Sequence, residues 1–319
     1  SSVSDILING PTSIWVDCGG TLRQSGCRFR DENHLQTILE RMLVQDDKAL
    51  DVNAPYVDAV LKDGSRIHAV RPPISKTGLI VSIRKFRKHS ISLDDLVQGD
   101  FATEECLELL SNAVADRKNI IISGGSGAGK TSFMNWLGSR IPAEERVVTI
   151  EDAAELNLDH RHTVALCSKG QEYGNSSAID SETLLKQALR MRADRVIVGE
   201  IRGEEVMTLL QCLNIGHEGS MATIHANSDV DVISRLQLLV QLRNHNLDSD
   251  TVRSYIASSV DYIVHIEKHR SGYRCIKSVS RVGIQSDQIV IKPVYNGPVD
   301  TPDMTKGAPT SYVSMMSAR

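Results

Sequence analysis

The chain has 319 residues with a formal net charge of −4, ordinary apolar content and few aromatics. That length suits two domains of ordinary size, and that composition excludes intrinsic disorder, a collagen-like repeat and a coiled coil. No uncharged apolar run reaches the roughly 18 to 20 residues that cross a bilayer, and the opening Ser1-Ser2-Val3-Ser4-Asp5 lacks a secretion-signal pattern, so the reading is a protein that works in the cytosol.

In chain order, residues 5–9 and 13–17 read as strands around the turn residues Gly10-Pro11. In residues 34–44 the apolar Leu35, Ile38, Leu39, Met42 and Leu43 recur at three- and four-residue steps, which predicts one stripe of a helix. Residues 56–61 and 66–70, joined by Lys62-Asp63-Gly64-Ser65, predict a β-hairpin, and 79–84 a further strand. The basic run Arg84-Lys85-Phe86-Arg87-Lys88-His89 reads as the edge of a linker. From about residue 100 short apolar strands, at 119–123, 147–150, 195–198, 221–224 and 262–266, alternate with helical segments. That is the signature of a mostly parallel sheet covered by helices on both faces. The last stretch carries Pro293, Gly297, Pro298, Pro302, Gly307 and Pro309 with little periodicity and reads as a loosely ordered tail. Six cysteines lie far apart without a C-x-x-C pair, so no zinc site is expected. The first residue is not Met, which leaves an N-terminal extension open.

Gly124-Gly125-Ser126-Gly127-Ala128-Gly129-Lys130-Thr131 fits G-x-x-x-x-G-K-[ST], with a β-branched strand before it and a helix-forming run after it, and Ser132 is counted with the loop as a nucleotide-binding residue. Glycines let backbone N–H groups turn inward around phosphates, and the helix adds its positive N-terminal end to the same spot. Lys130 would reach the β- and γ-phosphates of ATP, and the Thr131 hydroxyl would sit on Mg²⁺. Hydrolysis also needs a carboxylate on a neighbouring strand. The strand 195–198 leads into Gly199-Glu200, and 147–150 into Glu151-Asp152, which puts carboxylates at the edge where parallel sheets bind ligands. Asp152 and Glu155 equally read as caps of a following helix. His217 and His225 flank the short strand 221–224 and would sense the γ-phosphate.

The loop, Thr149-Ile150-Glu151-Asp152-Ala153-Ala154-Glu155-Leu156, Val198-Gly199-Glu200-Ile201-Arg202-Gly203-Glu204, and Gly216-His217-Glu218-Gly219-Ser220 through His225-Ala226-Asn227 together resemble the type II/type IV secretion ATPase superfamily. Its names for the last three are the Asp box, a Walker B motif with Glu, and the His box. Val3 through Pro11, Asp63-Gly64-Ser65-Arg66 and Ser82-Ile83-Arg84-Lys85-Phe86 are similar to the branch that powers tight-adherence (Tad/Flp) pili. The paired cysteines common in the type II secretion and type IV pilus extension branches are absent.

The resemblance implies an α/β protein with a PAS-like N-terminal domain and linker over residues 1–95 and a RecA-like P-loop ATPase domain over 96–284, followed by the tail 285–319. It implies a homohexameric motor peripheral to the inner membrane, binding ATP and Mg²⁺ and acting on inner-membrane platform proteins to assemble a Tad-type pilus. The alternative is a traffic ATPase of type IV secretion or conjugation; a motor that itself moves nucleic acid has little support, given the negative charge and the lack of an aromatic stripe. In this family arginines of the N-terminal domain complete the nucleotide site, which points to Arg66 and Arg84, with Arg71 as an added candidate. Arg190, Arg192 and Arg202 equally suit contacts between subunits. Glu200 is assigned to Mg²⁺ through its water shell and Glu151 to activating the attacking water, with the reverse assignment open.

Overall fold

The computed structural model describes residues 3–18, 21–46, 48–85, 92–169, 178–243, 247–269, 271–285 and 288–298. Residues 86–89 of the basic run and 299–319 of the tail lie outside the described residues. Two compact units divide the chain, one within residues 1–89 and one within 90–304.

In the N-terminal unit β1 (Val3–Asn9), β2 (Ile14–Cys18), β3 (Thr21–Gln24), α1 (Glu32–Leu43), β4 (Tyr56–Val60), β5 (Arg66–Val70) and β6 (Ile80–Arg84) follow in sequence. The strands pair antiparallel in the order β3-β2-β1-β6-β5-β4. Strict alternation decides the faces: Val57, Ala59, Ile67 and Ala69 are buried, while Tyr56, Asp58 and His68 are exposed. Asp31 caps α1 by accepting the His34 N–H, and Leu35, Leu39 and Leu43 then recur on one stripe that packs with Ile8, Ile67, Val81 and Ile83. The register places Arg66 opposite Arg84 and Arg84 opposite Asp5, one row on the face away from that core.

The second unit continues with α2 (Leu93–Gln98), α3 (Glu104–Ala115), β7 (Ile120–Gly124), α4 (Lys130–Gly138), β8 (Val147–Glu151), β9 (Thr163–Cys167), α5 (Ser181–Ala188), β10 (Arg195–Ile201) and α6 (Glu205–Asn214). After these come β11 (Met221–Ile224), α7 (Asp229–Arg243), α8 (Ser249–Ser259), β12 (Tyr262–Lys268), β13 (Arg274–Gln285) and β14 (Gln288–Asn296). Eight strands order as β14-β13-β12-β7-β11-β10-β8-β9, parallel from β12 to β9 and antiparallel through β13 and β14. The central strands β7, β8 and β11 are buried at every position, which is why they read as unbroken apolar runs rather than alternating ones.

The tail was expected to be loosely ordered from residue 285, but residues 288–296 form β14. β14 is the edge strand, and Pro293 sits next to a register irregularity at Val279/Ser280. An edge position needs no N–H from proline on its outer side, so the residue that argued against a strand is tolerated there.

The two edges of the parallel sheet differ in character. At the N-terminal edge the buried Asn119 side chain donates to the carbonyls of Leu213 (3.1 Å) and Ser259 (2.8 Å) and accepts from the N–H groups of Gly219 (2.9 Å) and Ser220 (3.2 Å). Beside it the fully buried Arg195 pairs with Glu145 and donates to the carbonyls of Val114 (2.7 Å) and Gly219 (3.3 Å). This edge is closed by satisfied polar groups. The opposite edge holds the ends of β7, β8, β10 and β11.

Candidate active site

β7 runs into its loop at Gly124, whose φ is 152° and where a Cβ would lie 2.4 Å from the Ile266 carbonyl on β12. Only glycine lets the chain turn away from the sheet this close to its neighbour. Gly125, Ser126, Gly127 and Ala128 form the turn, closed by the Ala128 N–H on the Gly125 carbonyl at 3.4 Å. Gly129, at φ 100°, opens α4 without a side-chain cap, so the first N–H groups of that helix are left for another acceptor. The helix is held from below by Phe133, Met134, Trp136 and Leu137, all buried, while Thr131 and Ser132 stay partly accessible. On the loop's outer side Arg274 donates from Nε to the Gly127 carbonyl at 2.8 Å.

The Lys130 ammonium is buried and folds back on the loop, donating to the carbonyls of Gly124 and Gly125 at 2.9 Å each. Burial lowers its pKa, and the charges of Glu200 and Glu155 oppose that shift. Its Nζ also lies 3.4 Å from His225 Nδ1, and His225 Nε2 lies 2.8 Å from Glu200 Oε1. The ammonium can only donate, so Nδ1 accepts and Nε2 carries the proton toward Glu200. Burial, and next the Lys130 charge, lower the His225 pKa and favour that neutral ring; Glu200 pulls the other way. Glu200 Oε2 accepts from Arg202 Nε (2.8 Å) and Nη2 (2.5 Å), and Arg202 Nη1 reaches Asp152 Oδ2 at 3.0 Å. Asp152, Arg202, Glu200, His225 and Lys130 thus form one chain of contacts along the sheet edge, spanning the ends of β8, β10 and β11 and the phosphate loop.

Glu151 belongs to the same edge but is already engaged. It is 5% exposed, and its Oε1 accepts the N–H groups of Glu155 (2.9 Å) and Leu156 (2.8 Å). It packs over Gly199, where a Cβ would lie 2.9 Å from Glu151 Cγ. The Oε1 oxygen of Glu151 thus folds the segment after β8. That fold brings Glu155 Oε2 within 3.4 Å of the Thr131 hydroxyl, so Glu155, which read equally well as a helix cap, stands in the site.

His217 stands apart from this edge. Its Nδ1 donates to the Ala193 carbonyl at 2.9 Å, at the closed N-terminal edge, and β11 separates it from His225 by about 13 Å of strand. Within the chain it does not reach the loop, because the two ends of a strand lie on opposite edges of a sheet. Arg66, Arg71 and Arg84 belong to the N-terminal unit. There Arg84 Nε donates to Asp5 Oδ1 at 3.1 Å and Arg71 Nη1 to the Leu50 carbonyl at 3.4 Å. The structure thus gathers Gly124 through Thr131, Glu151, Glu200 and His225, and adds Asp152, Glu155, Arg202 and Arg274. Arg274 had no signal in the sequence, because it is placed by an antiparallel pairing with β12 that no motif marks.

The Thr131 hydroxyl and the Glu200 carboxylate at this edge are hard oxygen donors of the kind Mg²⁺ takes, so their chemistry fits that ion. A strand, glycine loop and helix, flanked by parallel strands that end in carboxylates, define a P-loop ATPase with a RecA-like fold. The solved structure of the pilus retraction motor PilT with bound ADP has this fold, at 19% identity and a TM-score of 0.61, over 91% of this chain and 79% of that one. A putative conjugal transfer protein, Rv3659c of Mycobacterium tuberculosis H37Rv, is 35% identical over 283 residues, 87% of this chain and 80% of the relative. The type IV secretion system protein PtlH of Bordetella pertussis is 31% identical over 295 residues, 83% of this chain and 86% of the relative. The family model for Type II/IV secretion system proteins matches residues 1–282, and the chain belongs to that family as one of its ATPases. Among the described residues no helix is long and apolar enough to cross a membrane.

Proposed function

We propose that this protein is the ring-forming motor of a conjugal-transfer or type IV secretion machine, hydrolysing Mg-ATP at the Gly124–Thr131 loop. The observation that carries the hydrolytic part is the chain of contacts from Lys130 through His225 to Glu200, with Glu155 beside Thr131. The kind of machine rests on the two relatives, named for conjugal transfer and type IV secretion. They favour this reading over the tight-adherence pilus motor to which the N-terminal motifs are similar.

In the proposed mechanism the loop amides and Lys130 bind the phosphates, and Lys130 leaves the carbonyls of Gly124 and Gly125 to do so. Mg²⁺, held by Thr131 directly and by Glu200 through water, would neutralise charge on the β- and γ-phosphates. Glu155 orients the attacking water and takes its proton. His225 turns its one N–H, on Nε2, from Glu200 to the γ-phosphate and loses that partner after hydrolysis. Arg66 and Arg84, with Arg71, remain candidates to offset the charge that builds on the γ-phosphate. Six copies work as a ring on the cytoplasmic face of the inner membrane, against platform proteins of the machine, and do not themselves bind the nucleic acid.

The test is replacement of the native gene by Lys130→Ala in its host. Loss of conjugal transfer or of secretion, with the protein still at normal abundance, supports the proposal. Normal transfer and secretion, with surface pili lost instead, would return the assignment to the tight-adherence branch.

A further inference from the structure

We infer that Arg202 is a positioning residue that occupies the Glu200 carboxylate and must let go of it when the site takes a divalent cation; the inference rests on the reading of Glu200 given above. A carboxylate offers about four lone-pair positions. Three are filled by protein donors: Arg202 Nε and Nη2 on Oε2, and His225 Nε2 on Oε1. Waters of a magnesium ion held by Glu200 would donate to these same oxygens, and the guanidinium sets a positive charge where the dication would approach.

The geometry also shows how the release is made cheap. The N–H groups of Arg202 and Gly203 are both tied to Glu205 Oε1, at 2.5 and 3.0 Å, so the backbone stays fixed and only the side chain has to move. That side chain is 60% exposed. Its Nη1 already holds Asp152 Oδ2 at 3.0 Å, and Asp152 Oδ1 is anchored in turn by the hydroxyls of Ser168 (3.2 Å) and Ser181 (3.0 Å). Rotation about the Asp152 contact frees Glu200 while the guanidinium keeps a carboxylate partner. A guanidinium fork suits this task, since one arm can hold while the other two let go.

The experiment is calorimetric titration of ADP in saturating Mg²⁺ and in EDTA, on wild type, Arg202→Gln, Arg202→Lys and Glu200→Gln, with melting temperatures to show that each is folded. The ratio of the Kd in EDTA to the Kd in Mg²⁺ measures what the metal adds. Arg202→Gln is expected to raise that ratio about two- to fivefold, the scale of one partly exposed ion pair. Arg202→Lys should fall between, and Arg202→Gln combined with Glu200→Gln should match Glu200→Gln alone. An unchanged ratio in Arg202→Gln overturns the inference, as does ADP affinity that falls equally with and without Mg²⁺, which would make Arg202 a phosphate ligand. A Glu200→Gln ratio equal to wild type sinks the Glu200 assignment and the inference with it; a reduced one beside an unchanged Arg202→Gln ratio sinks the inference alone.

Discussion

Two glutamates four residues apart separate by what their oxygens touch, and the separation can be measured. Glu151 Oε1 takes two backbone N–H groups from a buried position, whereas Glu155 Oε2 faces the Thr131 hydroxyl. Glu155→Gln keeps the size of the side chain and removes its basicity, so kcat should fall by about 10²- to 10⁴-fold, the range for loss of a general base, with ADP affinity and melting temperature near wild type. Glu151→Gln keeps an oxygen acceptor for both donors and loses only the charge assistance, a cost of about 1 kcal/mol in stability with kcat within tenfold of wild type. Glu151→Ala orphans both N–H groups at about 1–3 kcal/mol each; since water can reach part of the segment, a loss of about 2–4 kcal/mol is expected. The assays are steady-state ATP hydrolysis and chemical denaturation. A hundredfold loss of kcat in Glu151→Gln, with Glu155→Gln still active, would refute the assignment.

The Arg274 contact to the Gly127 carbonyl fixes one peptide of the phosphate loop from outside the site. Arg274→Ala should therefore weaken ADP binding about fivefold, roughly 1 kcal/mol for one exposed charge-assisted bond, with little change in kcat at saturation; equilibrium titration checks this. His265 is buried on β12 with Nδ1 3.0 Å from Ser123 Oγ. Burial lowers its pKa, Asp229, Glu267 and Asp231 oppose the shift, and Lys277 adds to it. The unfolded chain thus takes up this proton first, so the stability tied to the neutral ring is fully present above pH 6.5 and is lost as pH falls through the lowered folded value. Melting temperatures between pH 7.5 and 5.5 should fall less steeply in His265→Gln than in wild type, the remaining slope including His225.

How much of this was legible in the sequence depends on how local the determinant is. The phosphate loop, the strand before it and the helix after it are contiguous, and the buried runs 120–124, 147–151 and 195–198 announce their own type. Glu200 and His225 could be placed because a parallel strand delivers its C-terminal end to a known edge. The same rule, applied to both ends of β11 at once, misplaced His217. Glu151 and Glu155 could not be told apart, since which carboxylate caps the segment depends on backbone conformation after β8. β14 was hidden by Pro293, because whether a proline is tolerated turns on whether the strand is an edge, a property of the whole sheet. Arg202 was legible as a residue next to Glu200, but its hold on Asp152 joins positions 50 apart in the sequence.

The most direct measurement is ATP turnover by the purified protein and by Lys130→Ala, with particle mass followed by light scattering with and without ATP. The expected result is hydrolysis by a six-subunit ring in wild type and at least a hundredfold less turnover, on the order of 3 kcal/mol of transition-state stabilisation, in the variant. Turnover unchanged by removal of the Lys130 ammonium would contradict the assignment of chemistry to this loop.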